Sequence, residues 1–107
     1  ARLGEELRLI PVEDIYFFAA DQKYVKVRHR GGSDLIDESL RALAEEFSPD
    51  FLRIHRNSVI SLQHVRCVER SREGRYQVRF KDCEDTLPVS RRHAGEALRQ
   101  IKAGQPA

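Results

Sequence analysis

The sequence predicts a mostly β, antiparallel domain with one short helix in the middle and one C-terminal helix. Three observations carry that expectation. Apolar and polar residues alternate with a period of two in short runs along most of the chain, most cleanly where Tyr76, Val78 and Phe80 alternate with Gln77, Arg79 and Lys81. Polar or glycine-rich breaks such as Gly31-Gly32 and Ser71-Arg72-Glu73-Gly74 separate these runs. Only two stretches, opening at Ser39 and at Ser90, change to the helical period.

Taken in order, residues 6–10 alternate like a strand that Pro11 closes, and 11–14 form a single turn. Residues 15–20, Ile-Tyr-Phe-Phe-Ala-Ala, are apolar on both faces and should be the most buried strand. Asp21-Gln22-Lys23 is a polar connection. Tyr24, Val25 and Val27 then alternate with Lys26 and Arg28 down to Gly31-Gly32, and 34–37 return as a short strand. From Ser39, a natural cap, Leu40, Leu43, Ala44 and Phe47 occupy one face of a short acidic helix that ends before Pro49. Its charges face away from any anion, so it belongs to the scaffold.

Two strands follow, on either side of a polar knot, His55-Arg56-Asn57-Ser58. Residues 65–69 and 76–80 are strands around the turn at 71–74, and 82–85 is an acidic turn. Residues 86–89 form a last short strand, at an edge because Pro88 has no N–H to give to a ladder. Ser90 caps a final helix with Ala94, Ala97, Leu98 and Ile101 on one side, and the tail 103–107 should fray. There is no internal repeat and no low-complexity segment.

A chain of 107 residues with 40% hydrophobic content is one domain, able to bury roughly 65% of its unfolded surface. Its apolar runs are far too short to cross a membrane, and no signal-peptide pattern opens it, so a cytoplasmic location is expected. Met is absent even at position 1, which suggests a piece of a longer protein. Cys67 and Cys83 lie far apart and read as reduced thiols rather than a disulfide framework.

Charge is distributed unevenly. Residues 1–50 carry 7 Lys/Arg against 11 Asp/Glu, and residues 51–107 carry 12 against 6, for an overall +2. Ten of the twelve later cations are Arg, the side chain suited to bidentate phosphate and guanine contacts. A basic face opposite an acidic one suits a polyanion binder.

Two motifs sharpen this. In the knot, Asn57 and Ser58 can turn the chain, but His55 and Arg56 are poor turn formers and good ligand contacts. In Ser90-Arg91-Arg92-His93, two arginines occupy the first turn of a helix, where cations oppose the dipole by about 0.3–1 kcal/mol each. Folding asks for no such arrangement; a bound anion would relieve it. The competing explanation is that Glu84 or Asp85 neutralises the pair across the preceding turn.

Three segments together resemble the LytTR-type DNA-binding domain of response regulators, the AlgR/LytR/AgrA kind, with the AlgR branch most similar. They are residues 10–18 (Ile-Pro-Val-Glu-Asp-Ile-Tyr-Phe-Phe), residues 51–60 around His55-Arg56-Asn57, and residues 87–93 (Leu-Pro-Val-Ser-Arg-Arg-His). They stand in the family's order and spacing and span nearly the whole chain. The commoner family spelling has Ser directly after His-Arg; here Asn57 takes that place, with Ser58 next.

The resemblance implies an elongated, mostly antiparallel fold that presents loops to duplex DNA, reaching two successive major grooves and the minor groove between them. Mapped by motif, the first loop supplies Lys23, with Gln22 or Tyr24 beside it. The second supplies Arg56, with Asn57, and the last junction supplies Arg91 and Arg92. Arg92 or Arg91 would read a guanine edge while the other, with the Ser90 hydroxyl, holds phosphate. Arg56 would sense the minor groove, His55 would hold the elbow, and His93 completes the secondary candidates. The resemblance further implies promoter DNA with repeated half-sites bound by a pair of protomers, and an N-terminal receiver domain in the full-length chain.

Other classes fit less well. Tyr16, Phe17, Phe18, Tyr24, Tyr76 and Phe80 could stack bases in an RNA or single-strand binder, but their alternation suits a core. No His or Cys pair has zinc-ligand spacing, and there is neither a nucleophile elbow nor a phosphate-cradling glycine loop. No metal, cofactor or catalytic residue is therefore expected. A protein-interaction module working through its edge strands is a milder alternative.

Overall fold

The computed structural model describes residues 2–3, 6–7 and 9–103 of the chain. Its centre is a five-stranded, wholly antiparallel sheet built from β3 (Ile15–Asp21), β4 (Tyr24–His29), β5 (Gly32–Ile36), β6 (Phe51–His55) and β7 (Ser58–Ser61), in the order β5-β4-β3-β7-β6. One face is covered by α1 (Leu40–Glu46). The other carries a three-stranded antiparallel sheet, β8 (Val65–Arg70), β9 (Tyr76–Phe80) and β10 (Thr86–Val89), together with α2 (Arg91–Ala103). The molecule measures 43 × 29 × 25 Å, moderately elongated as the family resemblance implied.

Two core layers follow from this stacking. Between the central sheet and α1 lie Ile15, Phe18, Val27, Leu43, Phe51 and Val59, with Phe18 5.9 Å from Phe47 and 5.6 Å from Phe51, ring to ring. On the opposite face Tyr16, Phe17, Ile54 and Ile60 meet Val78, Phe80, Val89, Ala97 and Ile101. The apolar run at 15–18 is fully buried because β3 sits third of five with a layer on each side, where alternation is not required. A register shift between Ile15 and Phe17 places Tyr16 and Phe17 together on the α2 side.

Local chemistry accounts for the helix ends and edges. The Ser39 hydroxyl accepts the Ala42 N–H at 3.0 Å, the expected N-cap of α1. Pro88 lies on β10, an edge strand of its sheet. Arg28 ties the two sheets together: its Nε donates to Asp85 at 3.0 Å while its guanidinium lies 5.6 Å from the Tyr16 ring centre.

The N-terminus departs from expectation. The strand expected over 6–10 is only β2 (Glu6–Leu7), paired with β1 (Arg2–Leu3) in a small hairpin. Position 8 lies outside the described residues, and Leu9 and Ile10 belong to no strand, Ile10 packing instead against the α1-side core. Ala20 is exposed rather than buried, because it already approaches the turn at the sheet's end. The helix α2 reaches Ala103, and the rest of the tail expected to fray, 104–107, lies outside the described residues.

Candidate nucleic-acid interface

Three connections gather at one end of the central sheet. The β3–β4 turn carries Gln22 and Lys23, the β6–β7 turn carries Arg56 and Asn57, and β10 runs into α2 through Ser90-Arg91-Arg92-His93. Strand register makes the first two neighbours: Ala19 on β3 pairs with Ser58 on β7, and one step further the Ala20 N–H donates to the Asn57 carbonyl at 2.8 Å. The third is tied in through the Ser90 N–H, which donates to the Ile54 carbonyl at 2.9 Å. The order across the end is therefore Lys23, then Arg56 and Asn57, then Arg91 and Arg92. Strands lie about 4.8 Å apart, so the two hairpin tips are separated by roughly 10 Å.

Each tip is held by identifiable contacts. Gln22 adopts a left-handed φ of 55°, uncommon outside glycine and costing about 1 kcal/mol or more. A positive φ at this position is what a two-residue hairpin turn between Asp21 and Tyr24 requires. In the second turn His55 Nδ1 accepts the Asn57 N–H at 3.1 Å, the elbow-holding role expected of His55. Arg53, which the sequence did not single out, donates from Nη2 to the Arg56 carbonyl at 2.8 Å and from Nε toward the His55 carbonyl at 3.4 Å. Its guanidinium thus ties down the turn, and among the described residues it forms no ion pair. The only hint in sequence was an arginine two residues before His55 in a strand.

At the third tip the Ser90 hydroxyl and His93 Nδ1 are 2.6 Å apart, one hydrogen bond whose direction follows the imidazole tautomer. Burial, and then the nearby charges of Arg92, Arg53 and His55, hold His93 below the usual histidine value.

The cations are open. Lys23, Arg56, Arg91 and Arg92 are exposed, and among the described residues none of them forms an ion pair. The competing explanation for Arg91 and Arg92 fails, since Asp85 is bonded to Arg28 and Glu84 forms no ion pair among the described residues. Tyr16, Phe17, Phe18 and Phe80 are buried in the core, which leaves Tyr24, 48% exposed beside Lys23, and the half-buried Tyr76 as the candidate aromatics open to a base. The remaining histidines are structural: His29 bonds Asp34 at 2.7 Å, and His64 Nε2 lies 2.5 Å from the Glu13 carbonyl. Among the described residues no group of His, Cys, Asp and Glu could hold a metal ion, and no helix is long and apolar enough to cross a membrane.

A β scaffold that gathers exposed cations on three neighbouring turns, none of them in an ion pair among the described residues, has the charge placement of a nucleic-acid-binding domain. Residues 5–102 match the model of one such family, the LytTr DNA-binding domain, and the chain belongs to it. It is 42% identical over 100 residues to the positive alginate biosynthesis regulatory protein of Pseudomonas aeruginosa, covering 92% of this chain and 40% of that protein. It is 30% identical over 98 residues to the transcriptional regulatory protein YpdB of Escherichia coli K12, covering 91% and 40%. The relatives are transcriptional regulators, not enzymes, and this chain spans about 40% of their length. Among solved structures, a LytTr DNA-binding domain of a putative methyl-accepting/DNA response regulator from Bacillus cereus superposes with a TM-score of 0.76 at 18% identity, over 90% of this chain and 86% of that one. The fold is that of this domain.

Proposed function

We infer that this domain binds double-stranded DNA sequence-specifically, as the output module of a two-component response regulator acting on transcription in the cytoplasm. The observation that carries the reading is the row of exposed cations, Lys23, Arg56, Arg91 and Arg92, without an ion pair among the described residues, on three hydrogen-bonded turns at one sheet end. Arg56 stands in the middle of that row. A minor-groove contact flanked by two major-groove contacts requires this order, and Arg56 fits the narrower groove, where potential and width are read more than base identity.

In the two outer positions Lys23 and the Arg91-Arg92 pair meet major grooves. One arginine reads a guanine edge through its fork of donors, and the other, with the Ser90 hydroxyl, sets register on phosphate. Asn57, Gln22 and Tyr24 are placed to add polar contacts. An N-terminal receiver domain and pairing of two protomers on repeated half-sites complete the reading; pairing would raise avidity without new contacts. With about four to six phosphates neutralised, log K falls against log salt with a slope of roughly −4 to −5.

The test is a titration of the 107-residue chain against a labelled duplex, with unlabelled duplex and single-stranded competitors. Duplex should displace the probe far more effectively than either single strand. Equal competition would move the reading to single-stranded nucleic acid, and no binding at low salt would end it.

A further inference from the structure

The β8–β9 hairpin, which none of the site motifs includes, ends beside the three turns. Val89 at the end of β10 pairs with Tyr76 at the start of β9, so the hairpin tip, residues 71–75, lies against the first turn of α2. Between them is an open cleft of about 390 Å³. Gly74, Arg75 and Tyr76 form one wall, and His55, Ser90 and Arg91 contribute to the other.

The tip is built rather than loose. Ser71 closes it three times: its N–H donates to the Arg75 carbonyl at 2.7 Å, its carbonyl accepts the Gly74 N–H at 2.9 Å, and its hydroxyl accepts the Arg75 N–H at 3.1 Å. Gly74 has a φ of 80°, and the Arg70 guanidinium packs by it, 5.6 Å from the Tyr76 ring centre. These contacts fix the backbone of Arg75 while its side chain, like that of Arg72, is exposed and forms no ion pair among the described residues.

We propose that this cleft is a fourth DNA contact, in which Arg75, facing Arg91 and His55, holds a backbone phosphate beyond the base-reading turn, with Arg72 flanking it. The proposal rests on the DNA-binding reading above and extends it. Pro88, Val89 and Ala94 make much of the cleft's lining apolar, and the exposed arginines on its two walls are the groups that suit a phosphodiester, which carries one charge and accepting oxygens on both sides. A phosphate contact of this kind secures the strand and carries no sequence information.

The test compares the unaltered chain with Arg75→Ala and Arg75→Lys on two duplexes, one selected from a random-sequence pool for tight binding and one unrelated, across a salt series. Losing one phosphate contact should weaken Arg75→Ala roughly fivefold on both duplexes near 0.15 M salt and make the salt slope shallower by about 0.9. Arg75→Lys should recover most of the slope, since a point charge suffices. If the unaltered chain binds and Arg75→Ala matches it in affinity and slope, the cleft is not a contact although the wider reading stands. A changed preference between the duplexes would equally overturn the phosphate role. No binding by the unaltered chain to either duplex would overturn both readings together.

Discussion

The main-chain N–H of Ala20 donates to the carbonyl of Asn57 at 2.8 Å, joining the ends of two hairpins that are separated by more than thirty residues of sequence. Through this bond the turns bearing Lys23 and Arg56 behave as one unit. Because Asn57 contributes its carbonyl here, Asn57→Ala keeps the bond and should change stability by no more than about 0.5 kcal/mol while weakening DNA binding. Ala20→Pro removes the donor inside a central strand and should cost about 3 kcal/mol or more. Denaturant titration of both variants separates the two outcomes; a large stability loss in Asn57→Ala would assign its side chain a structural task.

Arg53 acts on the same unit from beneath. Its two hydrogen bonds go to the carbonyls of Arg56 and His55, so it positions the turn without being placed to meet a base. Arg53→Ala should cost about 1 kcal/mol of stability. It should also speed amide exchange at Asn57 and Ser58, and lower DNA affinity through Arg56. Combining Arg53→Ala with Arg56→Ala should then cost less binding than the two single losses added together. Full additivity would mean that Arg53 works independently of the turn.

Much of this arrangement could be read before any coordinates, and the exceptions have physical causes. The both-faces apolar run at 15–20 marked a central strand that is buried over 15–18, although β7 is the one buried throughout, and Ser39, Pro49 and Pro88 marked a helix start, its limit and a sheet edge. Cations at Arg91 and Arg92 stood out because they oppose a helix dipole, a local conflict visible in one dimension. Arg53 was invisible because its partners are main-chain carbonyls of a turn whose bulged register, between Arg53 and His55, is set only by folding. The strand expected over 6–10 holds at Glu6–Leu7 and fails at Leu9 and Ile10 for a related reason: alternation says nothing about how far a partner strand extends, and Ile10 packs against the core instead. Lys23 came from family resemblance alone; the left-handed φ of its neighbour Gln22 marks only a tight hairpin turn.

Phe18 is the test of the scaffold. It is 2% exposed and lies between Phe47 of the α1 end and Phe51 of β6, so it fastens the helix to the sheet. Phe18→Ala should cost about 3–5 kcal/mol through lost burial and a residual cavity. Phe18→Leu should cost far less. Because Phe18 faces away from the α2 layer, the Leu variant should keep its salt slope on DNA within error while its midpoint falls. A changed slope would mean that the two core layers are not independent.

The two arginines at the start of α2 should part company when altered singly. One of Arg91→Ala and Arg92→Ala should erode the preference between selected and unrelated duplexes by about 1–3 kcal/mol, the amount a bidentate guanine contact supplies. The other should weaken both duplexes alike, as a lost phosphate contact does. Competition titrations with matched duplexes read this directly. If both variants lose affinity evenly and keep their preference, base reading does not occur at this junction.

His93 makes the junction sensitive to pH, and the sign differs between stability and binding. Burial first, and then Arg92, Arg53 and His55, hold its folded-state value below that of the unfolded chain, near 6.5. The unfolded state therefore takes up the proton first. Stability is full above about pH 6.5 and falls as pH drops from there through the folded value, below which this contribution stays lost. A phosphate arriving at Arg91 and Arg92 offsets the repulsion that adds to burial in keeping the imidazole neutral, so DNA binding should favour the protonated ring and strengthen as pH falls below about 6.5. His93→Gln keeps a polar partner for the Ser90 hydroxyl while removing the titration, and should flatten both profiles. Thermal unfolding and DNA titration over that range check the pair of slopes. Identical profiles in the variant and the unaltered chain would place the titrating group elsewhere.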